Sequence, residues 1–232
     1  MKNIFRNGGM MLFVCVLVAG CQAKQTPATE QTVRYEQNSE VTGDEKEELI
    51  KSVNPAIFTT VDRNNREAQA VSVPVVPKSG KVLKLKTGRY MISGYPTGNI
   101  SIFDSEGELI LREIVGDYAG ARSLTVSVEE SYTIQADGGY DSVEVVLSPT
   151  SLLTELTAGV WEVGTDIQAG TYTISLDHGY GYLQILEKEK DTILYELIGG
   201  TIGRTESTVK LKMGQWLRVT DASLITFRPQ NP

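Results

Sequence analysis

The chain is poor in the residues on which most enzyme chemistry relies: of 232 residues, two are cysteine and one is histidine. Cys15 lies inside an apolar run and Cys21 just after it, so the rest of the chain holds no thiol at all. That excludes a disulfide framework and thiolate chemistry. With His178 as the lone imidazole, it also excludes a Cys/His metal set. Serine-hydrolase chemistry would need His178 as its base, and no Gly-x-Ser-x-Gly elbow occurs. Phosphate-loop and dinucleotide glycine patterns are missing too. The apolar run, Met10 to Val18, is roughly half of the about 20 residues a membrane-spanning helix needs. Positive charge is scarce, with 22 Lys+Arg against 29 Asp+Glu and a net charge of −7. An acidic surface repels phosphate backbones and anionic headgroups, so a nucleic-acid partner is not expected.

What is present begins with Lys2 and Arg6, then the apolar run, small residues Ala19 and Gly20, Cys21, and a polar stretch from Gln22. This is the layout of a secretory signal. Val18-Ala19-Gly20-Cys21 resembles the bacterial lipobox, with Val18 where that family usually has Leu. The resemblance implies cleavage between Gly20 and Cys21 and a diacylglyceryl group on the Cys21 sulfur. It also implies a chain held on the outer face of the cytoplasmic membrane, or on the outer membrane in a Gram-negative source. Two acyl chains suffice for stable anchoring. Beyond that covalent lipid no cofactor is expected. Loss of residues 1–20 removes Lys2 and Arg6, leaving 20 Lys+Arg against 29 Asp+Glu, net −9.

Residues 21–43 carry Gln, Thr, Ser and Glu with few apolar residues, which predicts a disordered tether reaching about 25 Å. Asp44 to Val53 has acidic residues in its first turn and Asn54-Pro55 at its end, which predicts a short helix. Val71 to Val76 reads as an extended segment confined by Pro74 and Pro77 to an edge or a connector, within a connecting region 44–79. From residue 80 the pattern becomes short alternating runs punctuated by Gly, Asp and Asn. Strands are expected at Val82–Leu85, Gly88–Ile92, Ile100–Phe103, Leu109–Val115, Ser123–Val128, Tyr132–Ala136 and Val143–Leu147. After Pro149 they return at Gly159–Val163, Gly170–Ser175, Tyr182–Leu186, Ile193–Ile198, Thr208–Lys212, Trp216–Val219 and Leu224–Phe227. The expected fold is all-β: two tandem small β-sandwich or barrel-like modules at 80–149 and 158–229. A joint at 150–157 separates them, with Leu152, Leu153 and Leu156 packing between them.

The two modules are a repeat. Gly88–Ser93 matches Gly170–Ser175, Gly98–Phe103 matches Gly181–Leu186, and Ile110–Gly116 matches Ile193–Gly199, with apolar residues at the same parity. Shared parity means a shared inner face. The second copy opens Gly159-Val160-Trp161-Glu162-Val163-Gly164-Thr165-Asp166-Ile167-Gln168-Ala169-Gly170-Thr171-Tyr172. This is similar to the opening of a small all-β module found in surface proteins and lipoproteins of Gram-positive bacteria; Lys212–Leu217 echoes a later segment of it. The first copy keeps only the Gly-x-Tyr part, with Lys86-Thr87 where the module shows its Asp-Ile stretch. The likeness implies fold and location, and no catalytic residues. Trp161, Val163, Ile167, Tyr172 and Ile174 are expected to face inward, and Asp166 to bond backbone amides of its own turn.

No catalytic or metal-binding set emerges. His178, in Asp177-His178-Gly179-Tyr180, reads as a hairpin loop. Asp137-Gly138-Gly139-Tyr140-Asp141 lacks calcium-loop spacing and reads as a turn. Glu187–Asp191 reads as a charged hairpin tip. Tyr140, Tyr180 and Tyr182 are candidate ligand-contact residues, since loop tyrosines bind sugars or proteins by stacking plus a hydroxyl bond. The function expected is a lipid-anchored, non-enzymatic binding or scaffolding module with an envelope protein or a cell-wall glycan as partner. The alternative is a wall-directed hydrolase using paired carboxylates, which requires a cleft holding two acids, at least one of them desolvated. A small-molecule carrier would need a large apolar cavity.

Overall fold

The computed structural model describes residues 38–50, 53–200 and 204–230. The signal segment, Gly20 and Cys21 lie outside the described residues. Two strand sets follow each other in the chain. The first is β2 (Val71–Pro74), β3 (Lys81–Leu83), β4 (Gly88–Tyr95), β5 (Thr97–Phe103), β6 (Leu109–Gly116), β7 (Leu124–Val128), β8 (Thr133–Asp137) and β9 (Ser142–Leu147). The second is β10 (Glu155–Leu156), β11 (Ala158–Glu162), β12 (Gly170–Leu176), β13 (Gly179–Leu186), β14 (Ile193–Gly199), β15 (Glu206–Leu211), β16 (Trp216–Thr220) and β17 (Ile225–Pro229). Ahead of them stand β1 (Glu40–Val41), the helix α1 (Asp44–Ile50) and a 3-10 turn at Pro55–Phe58. The fold is all-β, and every strand expected from the alternation is present with its ends displaced by at most three residues.

The repeat extends to topology. The orders β2-β9-β4-β7 and β10-β17-β12-β15 correspond strand for strand, as do β3-β8-β5-β6 and β11-β16-β13-β14. One bond recurs as well: the Tyr90 hydroxyl donates to the Lys86 carbonyl at 2.8 Å, and Tyr172 donates to Gln168 at 2.7 Å. The sequence borders shift outward, because β2 joins the first module through β9 and β10 joins the second through β17. The first module's counterpart of β11, the strand on which the motif of the second copy opens, is β3. The four-residue turn Gly164–Ile167, which follows β11, has no counterpart after it.

Two corrections concern the ends and the joint. The tail of the expected tether is ordered: Val41, fully buried, pairs with Leu194 of β14, and Ser39 is buried beside it. A single valine in a polar stretch is enough to dock where an open strand edge awaits it. The leucines at 152–156 do not hold the modules together. Leu152 is exposed, while Leu156 and Leu153 belong to the core of the second module.

The modules join instead by strand pairing. β7 and β11 run parallel, with Ala158 opposite Leu124 and Gly159 opposite Thr125, and the two halves become one nine-stranded sheet. Gly159 is required there. Its φ is +140°, and a Cβ would lie 2.1 Å from the Thr125 carbonyl oxygen. Val160, Leu186 and Trp216 of the second module complete the core of the first, with Phe58 set edge-on to Trp216 at 6.1 Å. Trp161, Val163, Ile167, Tyr172 and Ile174 all lie in the second core.

A buried ion cluster locks the joint. The Asp166 carboxylate accepts from Arg63 at 2.5 and 3.0 Å, from Arg89 at 3.1 Å, and from the amide of Glu162 at 2.9 Å. Arg89 is 2% exposed, donates to the Val160 carbonyl at 2.9 Å and lies 5.1 Å from the centre of the Trp161 ring. Burial lowers its guanidinium to about 10, with Asp166 opposing that shift. Removing one partner of a buried pair leaves the other uncompensated, at about 3–5 kcal/mol. Asp166→Ala is therefore expected to lose about that much of the unfolding free energy in urea, while Glu206→Ala on the exposed rim moves it by less than about 1 kcal/mol.

Candidate functional site

A groove runs along the joint, between β6 with the loop after it on one side and the outer face of β13 and β16 on the other. Its inner part is a cavity of about 460 Å³ that includes Leu111, Glu113, Tyr182, Gln184, Arg218 and Asp221 in its lining. A second hollow of about 390 Å³ adjoins it, sharing Asp221 and adding Tyr118, Arg122, His178 and Tyr180.

Strand parity explains the polar floor. On β13, Leu183 and Ile185 face the second core, which turns Tyr182 and Gln184 outward. On β16, Leu217 and Val219 do the same and turn Arg218 and Thr220 outward, with Gln184 directly opposite Arg218. From the first module, Glu113 stands on β6 between Leu111 and Val115 at core parity, opposite Ile100 of β5. There, at the sheet edge, Glu113 is 4% exposed and its carboxylate accepts the Asp221 amide at 3.1 Å. Desolvation pushes the Glu113 carboxyl up to about 8, against the Asp221 amide, with the Asp221 charge adding to the rise and Arg218 opposing it. Asp221 is also raised by desolvation, opposed by Arg218, and it holds a left-handed φ of 56°. Desolvation lowers Arg218. Among the described residues, Gln184 Oε1 and Arg218 Nε are buried polar atoms with no hydrogen-bond partner.

The tyrosines divide. Tyr180, 60% exposed, meets Tyr182 edge-on at 6.4 Å along the same strand, so the two stand side by side on one wall of the groove. Tyr118, 75% exposed, stands on the opposite wall and stacks obliquely on Tyr95 at 5.8 Å. Tyr140 is not a contact residue. It is 1% exposed in the first core and donates to the Val115 carbonyl at 3.0 Å. A Cβ at Gly94 or Gly98 would come within 2.3 or 2.6 Å of its ring, so those glycines are the space its ring fills.

His178 and Asp177 are exposed neighbours at 3.2 Å on the rim. Asp137 is bound by the Asn99 amide at 2.6 Å in a turn with Gly138 and Gly139 at positive φ. No group of three metal-ligating side chains lies together among the described residues, and none of their helices is long and apolar enough to cross a membrane.

Glu113, Gln184, Arg218, Asp221 and Tyr118 were not among the candidates from sequence. Only Glu113 leaves a trace there, as a charge at the parity otherwise held by Leu111 and Val115. Compared with known protein families, with curated proteins and with solved structures, the chain matches none of them.

Glu113 makes stability depend on pH. Its folded value is raised above that of the unfolded chain, so its contribution is complete below about 4.5 and is lost as pH rises through about 8. Between these values the folded state holds one extra proton, a slope of at most about 1.4 kcal/mol per pH unit. Urea midpoints at pH 5 and pH 8 are expected to fall for the wild type and to differ much less for Glu113→Gln.

Proposed function

We propose that this protein is a lipid-anchored envelope module, held by Cys21, that binds a cell-wall glycan along the groove between its two repeats. One observation carries the reading. Exposed Tyr118 and Tyr180, with Tyr182, flank a floor of buried hydrogen-bonding groups from Glu113, Gln184 and Arg218. Flat aromatic rings stack on sugar faces while fixed polar groups satisfy hydroxyls and amides, and both kinds of contact are arranged along one open trough. The lipobox resemblance supports the location, and the likeness of the second copy to modules of surface proteins supports the same setting. The net negative charge matches a neutral or amino-sugar ligand better than a phosphate-rich one.

Titration calorimetry with soluble glycan fragments of the wall tests the binding. Tyr180→Ala is expected to weaken it about tenfold, with the unfolding midpoint unchanged. No heat and no chemical-shift change with the wild type would overturn the glycan reading. Metabolic labelling with a fatty-acid analogue tests the anchor: label that survives Cys21→Ala removes Cys21 as its attachment point.

A hydrolase is the second reading, favoured by one feature. Glu113 and Asp221 share the inner cavity, and the desolvated Glu113 would keep its proton at neutral pH as a general acid does. Release of new reducing ends from wall glycan, lost in Glu113→Gln, is what this requires. Binding without release leaves a module that only holds its ligand.

A further inference from the structure

The repeat assigns every module two special edges. In the internal joint, β7 receives and β11 is received, and these are different strands of the module. By strand correspondence the second module's receiving edge is β15 and the first module's donating edge is β3. Residue register makes the equivalence specific. Met91 pairs with Thr125, Thr173 pairs with Thr208, and Met91 corresponds to Thr173, so Thr208 stands where Thr125 accepts Gly159. On the other side, Lys81 pairs with Ala136 and Gly159 with Val219 at matching positions, so Lys81 stands where the joint has Gly159.

Among the described residues both edges are unpaired, and each is stopped at one of those two residues. At β15, the Asn38 side chain donates to the Thr208 carbonyl at 2.7 Å and accepts the Thr208 amide, imitating a paired strand. The strap that carries it is held in place by β1 on β14 and by left-handed φ values of 81° and 55° at Asn38 and Ser39. At β3, a lysine replaces the one residue type whose backbone and lack of a Cβ allow the parallel approach.

We infer that β15 is a second strand-receiving site, closed by the Asn38 strap, and that its partner is the opening strand of a like module in a separate chain, with glycine in the place of Gly159. Recognition is strand addition: main-chain bonds supply affinity and the glycine supplies the register. A second copy's β3 is excluded by its Lys81, so the chain does not grow on itself. This inference is independent of the glycan reading.

The test uses a fluorescent peptide spanning residues 156–163 and the full-length chain, read by anisotropy. Asn38→Pro cannot adopt the left-handed backbone and has no side-chain amide, so it uncovers the Thr208 backbone while β1 stays on β14. It is expected to bind the peptide at least tenfold more tightly than the wild type, and the same peptide with Gly159→Val is expected not to bind. Should Asn38→Pro fail to fold, Asn38→Asp keeps the backbone but cannot donate to the Thr208 carbonyl, and it gives the same readout. A folded variant that ignores the peptide, equal binding by the wild type, or binding indifferent to the glycine overturns the inference.

Discussion

The two halves of this protein share one buried charge system, and the joint rests on it. Asp166 draws Arg63 and Arg89 onto a single carboxylate, and Arg89 in turn donates to the Val160 carbonyl and lies over the face of Trp161. The aspartate sits on the four-residue turn that distinguishes the second copy from the first. The residue that most marks the second module is therefore used to fasten its neighbour. The ion cluster and the β7–β11 pair lie side by side at the joint. The cluster needs the closeness that Gly159 allows, because Arg89 reaches both partners from a strand next to the pair.

Such a joint makes the groove possible. In a loose pair of beads, the outward faces of β13 and β16 would be solvent surface, and Gln184 and Arg218 ordinary exposed residues. Held under β6, the same side chains are drawn out of water beside Glu113; the desolvation raises the Glu113 carboxyl, lowers the Arg218 guanidinium and leaves Gln184 Oε1 and Arg218 Nε without partners among the described residues. Chemistry that neither repeat possesses alone arises where their unlike surfaces meet.

How much of this the sequence disclosed follows from the range of each interaction. Strand positions depend on alternation over a few residues and on turn glycines, so they were legible, as were the repeat and the inward set around Trp161 and Tyr172. Tyr180 and Tyr182 could be found because loop tyrosines are conspicuous locally. Tyr140 misled, because a tyrosine beside two glycines looks like an exposed loop. Only the packing shows that Gly94 and Gly98, far back in the chain, are hollowed out for its ring. Arg89 occupies the parity of β4 opposite Tyr90 and Ile92, and alternation alone assigns it no partner. Its partner lies 77 residues away, on the other repeat. The floor of the groove was illegible for the same reason: Glu113 and Arg218 acquire meaning only from each other.

The strap at Asn38 to Val41 also settles an ordering. The beginning of the described chain lies not on the repeat that follows it but on the last one, across β14 and β15. Spatial sequence and chain sequence therefore run in opposite senses. For any such molecule fastened by its front end, the rearmost repeat stands nearest the point of attachment, and the foremost is carried outward as the distal tip.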